Sequence, residues 1–199
     1  MGMKRNPWIS IADLLSSVVL VVLLLFVMAA IAPKYSAEMT RQRVMSRFNT
    51  NLADYESAGQ LRIYVDKSIL EFTSVTFDQG SAILNENTTS LVKDLSKNLK
   101  KIMEENPKLE VLIEGHTDPM PVTQVMNVGG YYEDNIQLSS LRASNVRESL
   151  LNVMGKDYAK RIGVAGYGDT RLKNTKDKYS AENRRVEIRI LWDGKEENK

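Results

Sequence analysis

Hydrophobic and polar positions divide this chain into three stretches of different texture. The first is unbroken: from Val18 to Ala32 the residues read VVLVVLLLFVMAAIA, with no charge and no strongly polar group. Carried back to Trp8, the apolar stretch is roughly 37 Å long as an α-helix, and a hydrocarbon core of about 30 Å is spanned by about 20 residues. Pro7 suits the first turn of a helix, Trp8 the headgroup interface, and Pro33 the end of the span. A cleaved secretory signal would share the basic start at Lys4 and Arg5 and the small residues Ala30-Ile31-Ala32. The run exceeds the roughly 7 to 15 residues of a signal core. Pro33 would also fall just after the cut, and Asp13 interrupts the apolar pattern. The pattern therefore predicts a retained membrane helix over 8–32.

The second stretch, 33–58, is amphipathic. Met45, Phe48, Leu52 and Tyr55 recur at spacings of 3, 4 and 3, while Arg41, Arg43, Arg47, Asp54 and Glu56 lie off that stripe. The spacing predicts a helical connector ending at Gly59, and two readings stay open: a short seam paired with another helix, or a helix packed on its own domain. The third stretch, 59–194, reads as one α+β domain, with residues 195–199 a polar tail. Strands are expected around Ile63–Val65, Ile69–Phe72 continuing to Val75–Phe77, Leu109–Glu114, Ile162–Ala165 and Arg184–Leu191. A helix is expected from Thr88 to Asn106, with Leu91, Leu95, Leu99, Ile102 and Met103 inward. A second, capped by Ser139, runs to Met154 with Val146, Leu150 and Val153 buried. This order predicts a mixed sheet with helices packed on one face.

Composition removes several function classes. The 199 residues carry 27 Lys+Arg against 25 Asp+Glu, a net charge of +2, with no basic run of the kind nucleic-acid binders use. Without cysteine there is no disulfide or thiolate chemistry, and one histidine argues against a zinc centre, so no metal or cofactor is expected. His116 reads as a loop-ordering residue, since no nucleophile or ligand pattern accompanies it, and no catalytic constellation is visible.

Asp13 is the exception within the apolar stretch. A carboxylate inside a span costs on the order of 3 kcal/mol on insertion scales, so such residues face a partner or a water-filled path. Ser16 and Ser17, three and four residues on, share its helical face, where their hydroxyls can bond the carboxyl or line an ion route. Such a carboxylate can bind and release a proton or a sodium ion. The alternative is an interfacial Asp favoured by the helix N-terminus. Basic residues flank both ends of the span, so charge alone does not orient it.

Five motifs then occur in order: Val75-Thr76-Phe77-Asp78-Gln79-Gly80-Ser81-Ala82; Glu114-Gly115-His116-Thr117-Asp118; Asn135-Ile136-Gln137-Leu138-Ser139-Ser140-Leu141-Arg142-Ala143; Gly166-Tyr167-Gly168; and Asn183-Arg184-Arg185-Val186-Glu187-Ile188. Together they resemble the OmpA-like peptidoglycan-binding domain. Pro7-Trp8-Ile9-Ser10-Ile11-Ala12-Asp13-Leu14-Leu15 resembles the start of MotB-type stator subunits, whose aspartate just inside a single span carries the coupling ion. The same layout occurs in ZorB of the Zorya anti-phage system.

The resemblance implies a single-pass inner-membrane protein, with residues 1–7 in the cytoplasm and the domain in the periplasm. It further implies a homodimer inside a pentamer of a MotA-like or TolQ-like partner. Ion translocation falls to Asp13 with Ser16 and Ser17, and peptidoglycan binding to Thr117, Asp118, Asn135, Arg142 and Arg184. The chemistry agrees: a stem peptide offers carboxylates to an arginine fork, and its diaminopimelate ammonium needs an acid or carbonyls. Many OmpA-like domains have an aspartate three residues before the asparagine, where this chain has Tyr132. Glu133 and Asp134 are adjacent but out of register. Arg184 is also placed to pair with the domain's own acids. The segment Pro119–Asp134, with Gly129-Gly130, is expected to form a mobile rim of the groove.

Overall fold

The computed structural model describes residues 7–73, 77, 81–122 and 132–192. They belong to two compact units, one up to Thr40 and one from Arg41 onward. Helix α1 (Pro7–Asn51) contributes to both. In the first unit, Ile11–Ala32 is 22 residues long with a mean hydropathy of 3.1, long and apolar enough to cross a membrane. Its large side chains from Leu14 to Met28 are exposed, an apolar surface that needs lipid or protein around it.

The second unit contains α2 (Ala53–Ser57), β1 (Leu61–Tyr64), β2 (Ile69–Phe72), α3 (Glu86–Glu105), β3 (Leu109–Gly115), α4 (Asn135–Met154), β4 (Ile162–Gly166) and β5 (Val186–Trp192). The five strands form one mixed sheet in the order β1-β2-β5-β3-β4. β3 and β4 are parallel, joined by α4, and the other pairs are antiparallel. Strand alternation sends Leu61, Leu70, Phe72, Val111, Ile113, Val186, Ile188 and Ile190 to one face. There they share a core with Leu91, Leu95, Leu99, Ile102 and Met103 of α3 and Val146 and Leu150 of α4. The result is the α+β sandwich with helices on one face.

The end of α1 and the start of α2 belong to this core. Met45 and Phe48 of α1 and Leu52, which caps α2, are fully buried in the same cluster, with Tyr55 packed against it. Arg47 pairs with Glu105, and the Tyr55 hydroxyl donates to Asp94 Oδ2 at 2.8 Å. Of the two readings of the amphipathic stripe, the packing is on the chain's own domain, and the stripe is not available as a seam for a second helix. The compact unit accordingly starts at Arg41 rather than at residue 59.

Three local expectations are corrected. Ser139 does not cap α4: Asp134 does, its Oδ1 accepting from the Gln137 N–H at 2.7 Å, while Gln137 Oε1 accepts from the Glu133 N–H at 2.9 Å. Val153, expected inside, is 40% exposed, because the helix turns it away from the sheet near its C-terminus. The last strand begins at Val186, so Arg184 and Arg185 precede it. The polar side of the sheet is also drier than alternation implies. Glu71, Glu114, Arg185 and Glu187 are buried there, tied by Lys173 to Glu71, Arg185 to Glu187 and Arg189 to Glu114. The expected continuation of β2 through Val75 and Thr76 lies outside the described residues, though Phe77 bridges to Leu84.

Two glycines let α4 lie directly on the strand ends. A Cβ on Gly115 would stand 2.0 Å from the Ser139 carbonyl oxygen, and one on Gly166 would stand 2.6 Å from the Ser140 backbone nitrogen. This close approach carries the first turns of α4 up to the loop that leaves β3, where the motif residues meet.

Candidate functional site

The predicted site residues separate into two places. Asp13, Ser16 and Ser17 lie exposed on α1. Their geometry differs from one expectation: the Ser17 hydroxyl donates to the backbone carbonyl of Asp13, one turn back, and not to its carboxylate.

Thr117, Asp118, Asn135, Arg142 and Arg184 converge where β3 ends against α4. Arg142, on the inward face of α4, is 3% exposed. Its Nε donates to the Ser81 carbonyl at 2.9 Å, and its guanidinium lies 5.2 Å from the centroid of the Phe77 ring. Burial pushes its pKa down to about 10, with the Tyr132 phenol and Asp118 acting in the opposite sense and Arg184 adding to the depression. A guanidinium so desolvated gains from an incoming carboxylate far more than a surface arginine does.

Asp118 is buried, and its Oδ2 accepts from Arg184 Nη1 at 2.7 Å while Oδ1 accepts from the Met120 N–H at 3.2 Å. Asn135 shapes the loop: its Nδ2 donates to the carbonyls of Asp118 at 3.2 Å and Met120 at 3.1 Å. The Thr117 N–H donates to the Gly168 carbonyl at 2.9 Å, and its buried hydroxyl has no partner among the described residues. Ser139 works as a clip, donating to the Ile136 carbonyl and accepting from the Gly168 N–H, each at 2.9 Å. Tyr132 is buried with Ala82 and Leu138, so an apolar ring fills the position where an acid was sought. Since Asp134 is engaged as the cap of α4, Asp118 is the carboxylate that faces the arginines. Ser81 and Phe77, which seat Arg142, were not predicted; the only signal was their place in the first motif. Residues 123–131 of the expected rim, including Gly129-Gly130, lie outside the described residues.

A membrane-length apolar helix leads here into a mixed α+β domain in which a buried arginine on α4 lies beside an aspartate–arginine pair at the end of β3. That arrangement defines an α+β domain with a buried cationic pocket, preceded by an apolar helix long enough to cross a membrane. A model of the OmpA family matches residues 76–186, over half of the sequence, and the chain belongs to that family. Motility protein B of Bacillus subtilis (strain 168) is 34% identical over 120 residues, covering 59% of this chain and 42% of that protein. Outer membrane porin F of Pseudomonas aeruginosa is 32% identical over 123 residues, 61% of this chain and 31% of the porin. The chain thus spans less than half the length of either relative. Among solved structures, a MotB-like protein from Desulfovibrio vulgaris superposes with a TM-score of 0.61 at 24% identity, covering 79% of this chain and 98% of the other, a likeness of fold. The cell wall anchor of the T6SS from Pseudomonas aeruginosa superposes with a TM-score of 0.58 at 28% identity, covering 73% and 96%.

Proposed function

We propose that this chain is the wall-anchored, ion-handling subunit of a stator-type membrane motor. The observation that carries the reading is the pairing, in one chain, of a carboxylate at Asp13 inside a membrane-length apolar helix with an OmpA-family domain that buries Arg142. The similarity to motility protein B supports it. In this reading the helix spans the inner membrane with its N-terminus in the cytoplasm, and the domain grips peptidoglycan in the periplasm. Arg142 receives a stem-peptide carboxylate, Asp118 and the loop carbonyls meet the ammonium, and Arg184 and Asn135 hold Asp118 in place. Asp13 takes up and releases the coupling ion, a proton in the simplest case, with Ser16 and Ser17 beside it. Moving one charge across the membrane field is worth about 2.3 kcal/mol per 100 mV, enough to do mechanical work when tied to motion. Two copies act inside a MotA-like or TolQ-like pentamer, in a flagellar or a Zorya-type anti-phage motor.

A second reading, a passive tether without ion coupling, is favoured by the likeness to the T6SS wall anchor. Co-expression with the multi-span partner separates them. At equal membrane levels, Asp13→Asn abolishes ion flux and motor output if the chain is a stator subunit. Unchanged output with intact wall binding leaves the tether.

A further inference from the structure

The polar face of the sheet holds a histidine that the anchor site does not use. His116 directly follows β3, is 2% exposed, and has no hydrogen-bond partner at Nδ1 or Nε2 among the described residues. Buried imidazoles ordinarily satisfy at least one nitrogen. The β3–β5 register sets Glu114 opposite Glu187. One ligand atom from each of Glu114, His116 and Glu187 lies within 4.8 Å of the other two, and all three side chains are buried. We propose that these three residues form a binding site for a divalent transition-metal ion, with Zn2+ the best match. One histidine in the sequence argued against such a centre; strand pairing supplies the missing ligands from positions far apart in the chain.

An imidazole with two carboxylates is a donor set that suits zinc, and the two carboxylates balance the charge of the ion. Metal–ligand bonds of about 2.0–2.2 Å place neighbouring donor atoms roughly 3.4 Å apart, so the side chains close by about an ångström as the ion enters. Neither ring nitrogen of His116 is taken by a hydrogen bond among the described residues, so either is open to the ion.

The arginines oppose the ion and set the affinity. Arg189 Nη2 is 2.7 Å from Glu114 Oε2, and Arg185 Nε is 2.7 Å from Glu187 Oε1. Both have somewhere else to go: the Arg189 side chain is 31% exposed, and both Nη atoms of Arg185 already reach the Arg171 carbonyl at 3.3 Å. The Tyr167 ring stacks on His116 at 5.4 Å, and its hydroxyl is 3.4 Å from Glu114 Oε1, leaving water or that phenol for the fourth position. A bound ion would pin the ends of β3 and β5 together, immediately before Thr117 and Asp118.

The test uses the full chain in detergent, without a polyhistidine tag and stripped by chelator. Zn2+ is titrated calorimetrically, and Co2+ by its visible absorption. The expected result is one equivalent bound, with a melting temperature raised by about 5 °C at a hundredfold excess over Kd. Glu187→Gln and His116→Asn each weaken binding about tenfold or more, and the cobalt bands disappear in His116→Asn. Should His116→Asn fail to fold, Glu187→Gln alone carries the comparison. Absence of binding at 100-fold molar excess of Zn2+, or equal binding in the variants, overturns the proposal.

Discussion

The two units of this molecule treat burial in opposite ways. From Arg41 onward the domain hides its apolar side chains within itself, and Phe48, Leu70, Leu95 and Ile188 are all fully buried. Before that boundary the apolar side chains of α1 stay exposed, and Asp13 is exposed among them. Charge follows the same division. Arg142 has been desolvated by its own fold, against Ser81 and Phe77. Asp13 would be desolvated only by something outside the chain, a bilayer or a partner's helices. The domain therefore buries its charged site by its own fold, whereas the helix leaves Asp13 and its apolar surface for something outside the chain to cover.

Substitutions sharpen this contrast, beginning with those that should wreck one unit and spare the other. Gly115→Ala forces a Cβ onto the Ser139 backbone. It should cost the domain about 4 kcal/mol or more, read by urea unfolding, while membrane insertion of the helix is unchanged. Phe48→Ala should destabilise the domain by about 3–5 kcal/mol, because this residue of α1 sits in the domain core. A loss near zero there would break the assignment of residues from Arg41 onward to the folded unit. Arg142→Ala should weaken binding to purified sacculi by about 2–5 kcal/mol, with Arg142→Lys recovering only part, since a single ammonium cannot reproduce the fork.

The smallest effect is a pH slope in the metal-free domain. His116 titrates at its ordinary 6.5 when unfolded and is pushed down to about 4 when folded, where burial and then Arg185 disfavour its charge. Between those values the unfolded chain holds the extra proton, so stability is complete above pH 6.5 and declines as the pH falls towards 4. His116→Asn should flatten that slope in chemical denaturation at several pH values.

Much of the fold was legible because periodicity reports which side faces the core. The α3 positions Leu91, Leu95 and Leu99, and Val186, Ile188 and Ile190 of β5, repeat at helical and strand spacing and are buried as expected. Legibility failed where the decision was tertiary. The stripe at Met45, Phe48 and Leu52 is the same whether its partner is another chain or the same one, and only packing decides. The cap of α4 is Asp134 because the helix begins at Asn135, a full turn ahead of Ser139, whose hydroxyl clips Gly168 instead. At the site, motif order placed Arg142, Asp118 and Arg184 together. The ion-pair layer of Glu71, Glu114 and Glu187 was hidden because it depends on strand register between distant segments.

The most direct test of the central claim is a reciprocal one. Asp13→Asn and Arg142→Ala are each measured for ion flux with the multi-span partner and for retention on sacculi. Asp13→Asn is expected to lose flux and keep the wall, while Arg142→Ala loses the wall. Flux that survives in Asp13→Asn at equal membrane levels would contradict it.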